Sequence, residues 1–403
     1  MRLSLSLLTL ALLLLLGACE TPSRRAISNI KTALKGKRYP DALRLVEAGR
    51  KDTLLMHTPK LYHLGLESSK KMYERENEKL YLRRAPDTTA LFRTLYHVYE
   101  YALLVDSIEQ ERKKATAPSH YRKALAETMN ASFSNLNAAS LYFVRKQNWQ
   151  EVIRFSELAL EARNSPVFEQ HIAKMSDSLG IQFAWRHLLA CHQSKQYQKA
   201  LRYAPQALKD TVRRATALEM LTNVQIQLGH QQEAIAYLQK GVEEYPHLPF
   251  FFMTLSELYF QQNRPDSVLA MTEKLLKNDS TNFVLYEERA RAYHLLGEYE
   301  QSAQAAEAMI RSNGNHAQGH YYKGYAALQM AREVMFPLSI HSPGYRTAHQ
   351  KQRNYYKQAQ KSLETYRRLA PENNKIWAPL LYDVYLKLNL GKEFEEISNY
   401  LPQ

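Results

Sequence analysis

The side chains best suited to chemistry lie in two histidine clusters. His187 and Cys191 stand four residues apart, and His192 follows directly. Residues at that spacing share a helix face, and imidazole with thiolate is a zinc ligand set. His316 and His320 repeat the spacing, but they straddle the expected start of a helix. Cys191 also has a structural reading, since it falls in a column of residues that pack between helices, where a single cysteine acts as a small buried hydrophobe. Fourteen histidines in 403 residues make such pairs common by chance, so no metal site and no cofactor is expected. Other signatures are missing: the chain has no glycine-rich phosphate loop, nucleophile-elbow serine, His-Glu-x-x-His pair or Cys-x-x-Cys pair. The sequence reads as a non-enzyme.

The elements that position these residues repeat along the chain. Composition is 45% hydrophobic and 23% charged, with 13 Gly, about half the usual glycine share, which favours helices joined by short connectors. Between residues 181 and 316 one pattern recurs every 34 residues. Ala200, Ala234, Val268 and Ser302 form a column of slim residues in the second helix of each unit. Cys191, Gln225, Tyr259 and Tyr293 end the first helix, Lys195, Gly229, Asn263 and Gly297 take the inter-helix turn, and Val212, Pro246, Ser280 and Gly314 mark the exit. Two helices of about twelve to fourteen residues with two short turns fill such a period. Slim residues let paired helices approach, and Gly or Asn supplies a left-handed turn.

The array resembles the tetratricopeptide repeat family. The resemblance is carried by Leu218, Leu221, Gly229, Ala234 and Pro246, and again by Tyr286, Ala290, Tyr293, Gly297, Tyr299 and Ser302. It implies an all-α fold, a right-handed superhelical solenoid of helical hairpins. The register continues through His320, Gly324, Ala359, Leu363 and Pro371, with an insertion at 332–353. Earlier units fit 133–166 and 23–56. Between these, 57–132 is helical but off-pattern, with Asp87 as a helix N-cap ahead of Leu91 and Leu95. The expected organisation is 1–18 as a signal peptide, 19–132 as a degenerate helical region, 133–373 as the array and 374–403 as capping helices.

At the N-terminus, Arg2 precedes the apolar run Leu3–Leu16, too short for a roughly 30 Å hydrocarbon core but suited to a signal peptide. Leu16-Gly17-Ala18-Cys19 resembles the bacterial lipobox, which implies lipidation at Cys19. Glu20 follows where Asp would favour inner-membrane retention, so the expected address is the outer membrane, facing the periplasm. The formal charge of +14 suits an anionic partner or surface, while the export signal argues against nucleic acid.

Stacked hairpins line a concave surface with their first helices. Projection of those helices gives Trp185, His192, Asn223, Phe250, Glu257, Phe260, Glu287, Arg291, Tyr321 and Tyr325 as a partner-binding groove, with Leu189, Glu219, Ile226, Met253, His294, Leu328, Tyr382 and Tyr385 beside them. A second candidate surface is the insertion, through Phe336, Leu338, Ile340 and Tyr345, because long loops on rigid scaffolds often carry function. The function expected from these features is a lipid-anchored scaffold for protein–protein interactions in the Gram-negative envelope, serving outer-membrane assembly, secretion or recruitment of peptidoglycan enzymes. The alternative is a glycan-binding outer-membrane lipoprotein of a nutrient-uptake system.

Overall fold

The computed structural model describes residues 21–112, 122–167 and 177–401; the expected signal peptide and Cys19 lie outside them. Every regular element among the described residues is helical. The helices are α1 (Pro22–Lys35), α2 (Tyr39–Gly49), α3 (Pro59–Tyr81), α4 (Thr88–Arg112), α5 (Arg122–Arg145), α6 (Trp149–Asn164), α7 (Asp177–Gln193), α8 (Tyr197–Ala200), α9 (Ala204–Ala207) and α10 (Arg214–Gln227). They continue with α11 (Gln231–Glu244), α12 (Pro249–Gln261), α13 (Pro265–Leu276), α14 (Phe283–Leu296), α15 (Tyr299–Ser312), α16 (Ala317–Arg332), α17 (Pro343–Leu369), α18 (Asn374–Leu388) and α19 (Gly391–Ser398). The chain divides into two compact units, one ending at Gly229 and one beginning at His230.

Local chemistry sets the boundaries. Pro22, Pro59, Pro249, Pro265 and Pro343 each open a helix, where the missing N–H costs nothing and the fixed φ suits the first turn. The side chain of Asp87 caps α4, with Oδ1 accepting from the Ala90 N–H at 2.9 Å. Lys195, Gly229, Asn263 and Gly297 all have φ between 55° and 76°, the left-handed geometry that reverses the chain between paired helices. Slim residues at Ala200, Ala234, Val268 and Ser302 are fully buried. At Gly324 an added Cβ would lie 2.7 Å from Leu363 Cγ, so only glycine allows α16 and α17 to pack this closely.

The sequence pattern and the structure part company at two places. The second helix of the unit that starts at 181 is broken into α8 and α9 instead of running through to Val212. Pro205 removes one N–H, and its ring would meet the carbonyl four residues back, so the helix stops at Ala200 and restarts around the proline. Only 333–342 of the insertion is non-helical; the rest extends α17 to 27 residues.

In the second unit α12, α14, α16 and α18 are first helices. Each touches the next of its kind as well as its own hairpin partner, so their outer faces lie side by side.

Candidate functional site

On α12 and α14, Arg291 joins two of the predicted groove residues. Its Nη1 donates to Glu257 Oε2 at 2.9 Å, and its guanidinium stands 4.2 Å over the Phe260 ring. One turn along α14, His294 packs against Tyr325 at 4.4 Å and against Tyr321 at 6.3 Å. Tyr321 reaches back to Tyr366 at 5.4 Å, which holds the strip against the hairpin beneath. Glu287 lies 3.7 Å from His316 Nε2. Glu257, Phe260, Arg291, Tyr321 and Tyr325 therefore form one half-exposed strip across three first helices, with Glu287 at its edge. Phe250 is half-buried against Phe251 at 5.4 Å, and no described contact joins it to Arg291.

Sequence reasoning overlooked the floor of this strip. Glu288 is buried and its Oε2 has no hydrogen-bond partner among the described residues. Burial raises its carboxyl to about 7, with Arg291 and the nearby Ser256 hydroxyl on α12 pulling the other way. Burial likewise pushes the neighbouring Tyr322 phenol well above its usual range. A carboxyl that is half protonated near neutral pH can donate or accept a hydrogen bond. The only sequence clue was position: Glu288 occupies the inward register of α14, where the repeat demands an apolar or slim residue. Leu328 and Tyr385 correct the projection in the opposite sense, since both are buried in the core around Trp377 and Leu363 and cannot line a surface.

The three predicted residues of the first unit stand apart from one another. Trp185 carries the Arg213 guanidinium 5.8 Å over its ring. His192 is half-buried, with Nδ1 unpartnered among the described residues and its pKa lowered by burial. Asn223 is half-exposed on α10. No contact among the described residues links the three, so they remain separate positions.

The histidine clusters are structural. His187 and Cys191 are fully buried, Sγ lies 3.6 Å from Nε2, and that nitrogen also meets Glu157 Oε1 at 3.3 Å. Tyr203 packs edge-on against the imidazole at 5.0 Å. Burial raises the thiol to about 12, which opposes the thiolate that a metal requires. His316 Nδ1 caps α16 by accepting from the Gly319 N–H at 3.4 Å, whereas His320 Nε2 donates to the Gly314 carbonyl at 2.9 Å. The described residues contain no cluster of three or more metal-ligating groups.

The insertion walls a cleft of about 750 Å³ inside the second unit, between Gly297–Gln301 on one side and Val334, Met335, Thr347 and Lys351 on the other. Of its predicted surface residues, Phe336 and Tyr345 pack on each other at 5.3 Å and are half-buried. Leu338 and Ile340 are exposed.

No protein-family model matches the chain, and no curated protein sequence matches it. Among solved structures, the chain is similar to the C-terminal part of a TPR repeat-containing protein from Cytophaga hutchinsonii, with 13% identity over 65% of this chain and 92% of that one, and a TM-score of 0.41. It is also similar to YrrB, described as a TPR protein with an unusual peptide-binding site, with 14% identity over 49% and 94% of the two chains and a TM-score of 0.33. A MamA protein gives 14% identity over 47% and 94%, with a TM-score of 0.33.

Proposed function

We propose that the protein is a non-enzymatic scaffold, lipid-anchored through Cys19, that binds another envelope protein or a peptide segment of one. The observation that carries this reading is the strip across α12, α14 and α16. There, half-buried aromatic rings flank the Arg291–Glu257 pair on helices already locked by their own hairpins. Rigid aromatic and arginine anchors of this kind dominate protein interfaces because they lose little freedom on binding. The anchor and the outer-membrane address rest on the Leu16-Gly17-Ala18-Cys19 sequence and on Glu20.

The tyrosines favour a peptide over the glycan alternative. Tyr321 and Tyr322 meet edge to face at 5.1 Å, and His294 meets Tyr325 the same way, so their faces are used among themselves instead of offering a flat platform for sugar rings. Photo-crosslinking in living cells from position 260 should yield a discrete protein adduct. Arg291→Ala with Tyr321→Ala should reduce that adduct at least tenfold, the scale of hot-spot loss. An undiminished adduct, or calorimetric binding to a glycan panel in its place, would overturn the surface assignment. Incorporation of labelled palmitate that disappears in Cys19→Ser tests the anchor separately.

A further inference from the structure

The segment from Val334 to Leu363 contains no Asp or Glu in thirty residues, although the chain as a whole carries 40 of them. Its two halves differ in character. The loop 333–342 holds out large apolar side chains: Met335 is 89% exposed, Leu338 109% and Ile340 66%. Exposing these near the tip of one loop is costly in water, and Leu338 and Ile340 take no part in holding the loop, which is done by Phe336 against Tyr345 and by Pro337 beside Gly344, while Met335 stands at the rim of the cleft. Those two contacts fold the loop onto the first turn of α17.

From that turn onward α17 carries Arg346, Arg353, Lys357 and Lys361, all exposed. At about 100° per residue these four fall within an arc of about 80°, a single stripe roughly 22 Å long. None of the four has an ion pair among the described residues, whereas Arg332 and Arg367, just outside the segment, are paired with Asp383 and Glu396. Glu298, Glu300 and Glu333 line the cleft together with Lys351, which lies on another side of α17 from the stripe, and Glu364, one turn beyond Lys361 on the stripe's own side, is half-buried and accepts from Gln360 Nε2 and the Tyr385 hydroxyl.

We propose that this segment docks on an anionic lipid bilayer, with Met335, Leu338 and Ile340 entering the head-group region and the stripe of α17 lying along the lipid phosphates. Apolar tips beside unpaired cations are the combination that a charged lipid surface rewards, because each part gains only there. A protein partner would need acidic groups spaced along 22 Å together with an apolar pocket, whereas a lipid surface offers both without a matched shape. The second unit would then be held against the membrane surface by its own residues, independently of Cys19 and of the strip on α12–α16.

The test places a reporter at the most exposed tip. Full-length protein carrying Leu338→Trp is reconstituted in vesicles of phosphatidylcholine and phosphatidylglycerol with brominated acyl chains, and the parent chain is measured alongside to subtract Trp149, Trp185 and Trp377. Emission from position 338 should shift to the blue and be quenched, and the effect should fall sharply in phosphatidylcholine alone or in high salt. Adding Arg346→Gln, Arg353→Gln and Lys357→Gln should lower the ratio of engaged to free loop about fivefold per charge removed. These positions are exposed, so unchanged helical circular dichroism is the control for folding. Solvent-like emission on anionic vesicles would overturn the proposal and leave the loop to a protein partner. Quenching that ignores lipid charge, salt and the three substitutions would overturn it equally. Crosslinking from position 260 is unaffected by either result, so the two readings fail separately.

Discussion

In residues 21–229 three of the four buried carboxylates, Glu76, Asp106 and Asp210, each meet a cation, Lys79 at 2.6 Å, Arg122 at 2.7 Å and Arg213 at 2.8 Å. In residues 230–401 the one buried charged group among the described residues is Glu288, and one of its oxygens has no partner. The contrast extends to the helices. The first unit contains helices of 23 to 25 residues, off the 34-residue period. They are pinned by polar contacts such as Arg50 to Glu47 and Glu100 at 3.2 and 3.1 Å. The second unit keeps the period as far as the insertion, where α17 lengthens to 27 residues, and holds Glu288 beneath a half-exposed aromatic strip. Those three carboxylates of the first unit are neutralised in place, because leaving a buried charge unpaired costs several kcal/mol; Arg186 is buried there with its Nη1 unpartnered among the described residues, and burial lowers its guanidinium to about 10.

The sharpest separation of the two units should appear in the pH dependence of stability. Burial raises Glu288 to about 7 from an ordinary 4.5, so the fold favours the protonated form. Its contribution is fully present below the unfolded value and is lost as pH rises through about 7, a change on the order of 3 kcal/mol. Glu76 has the opposite sign: the hydrogen bond from Lys79 depresses its carboxyl, and the stability it adds is lost as pH falls through that lowered value. Urea unfolding should therefore show Glu288→Gln removing a loss between pH 4.5 and about 7, and Glu76→Gln removing a loss in acid. Equal slopes for the two variants would erase the distinction.

Close packing gives a smaller contrast. An added Cβ at Gly241 would stand 2.1 Å from the buried Phe251 ring, whereas at Gly36, in the first unit, it would meet nothing nearer than 3.4 Å. Gly241→Ala should cost about 1–3 kcal/mol by overpacking, and Gly36→Ala should stay within about 0.5 kcal/mol of the parent. Thermal unfolding of the pair measures what close helix approach contributes, a device the first unit uses as well, where an added Cβ at Gly49 would stand 2.8 Å from Leu61 Cδ1.

The left-handed turns should give the mildest effect. The first unit places Lys37, Arg83, Gln147, Lys195 and its last residue Gly229 at positive φ, and the second uses Asn263, Gly297 and Asn389. Lys195→Gly should gain up to about 1 kcal/mol and Gly297→Ala should lose about as much, both read as shifts of the urea midpoint.

Much of this fold was legible because its constraints are local. A turn that must be left-handed and a helix that must be slim at mid-length leave marks at fixed spacing, and the columns through Gly297 and Ser302 recorded them. The break around Pro205 was legible in principle: the proline stands inside the second helix, but the period overrode it. The site was harder to read. Helical projection found Arg291 and Tyr325 because exposure on a first helix follows from register. It mistook Leu328 and Tyr385 for surface because whether a flank is covered depends on the following hairpin, which register does not encode. Glu288 escaped for the related reason that burial of a single carboxyl is decided by neighbours on α12 and α16, far away in sequence.

Within each unit, helices pack against those one or two places away along the chain, and no segment waits for a distant one to complete its core. Such a polypeptide can consolidate in the order in which a ribosome or translocon releases it, one turn of the stack after another, at the brisk rates typical of neighbour-only topologies. A hairpin duplicated or lost during evolution would then alter the reach of the molecule while the rest of it went on folding as before.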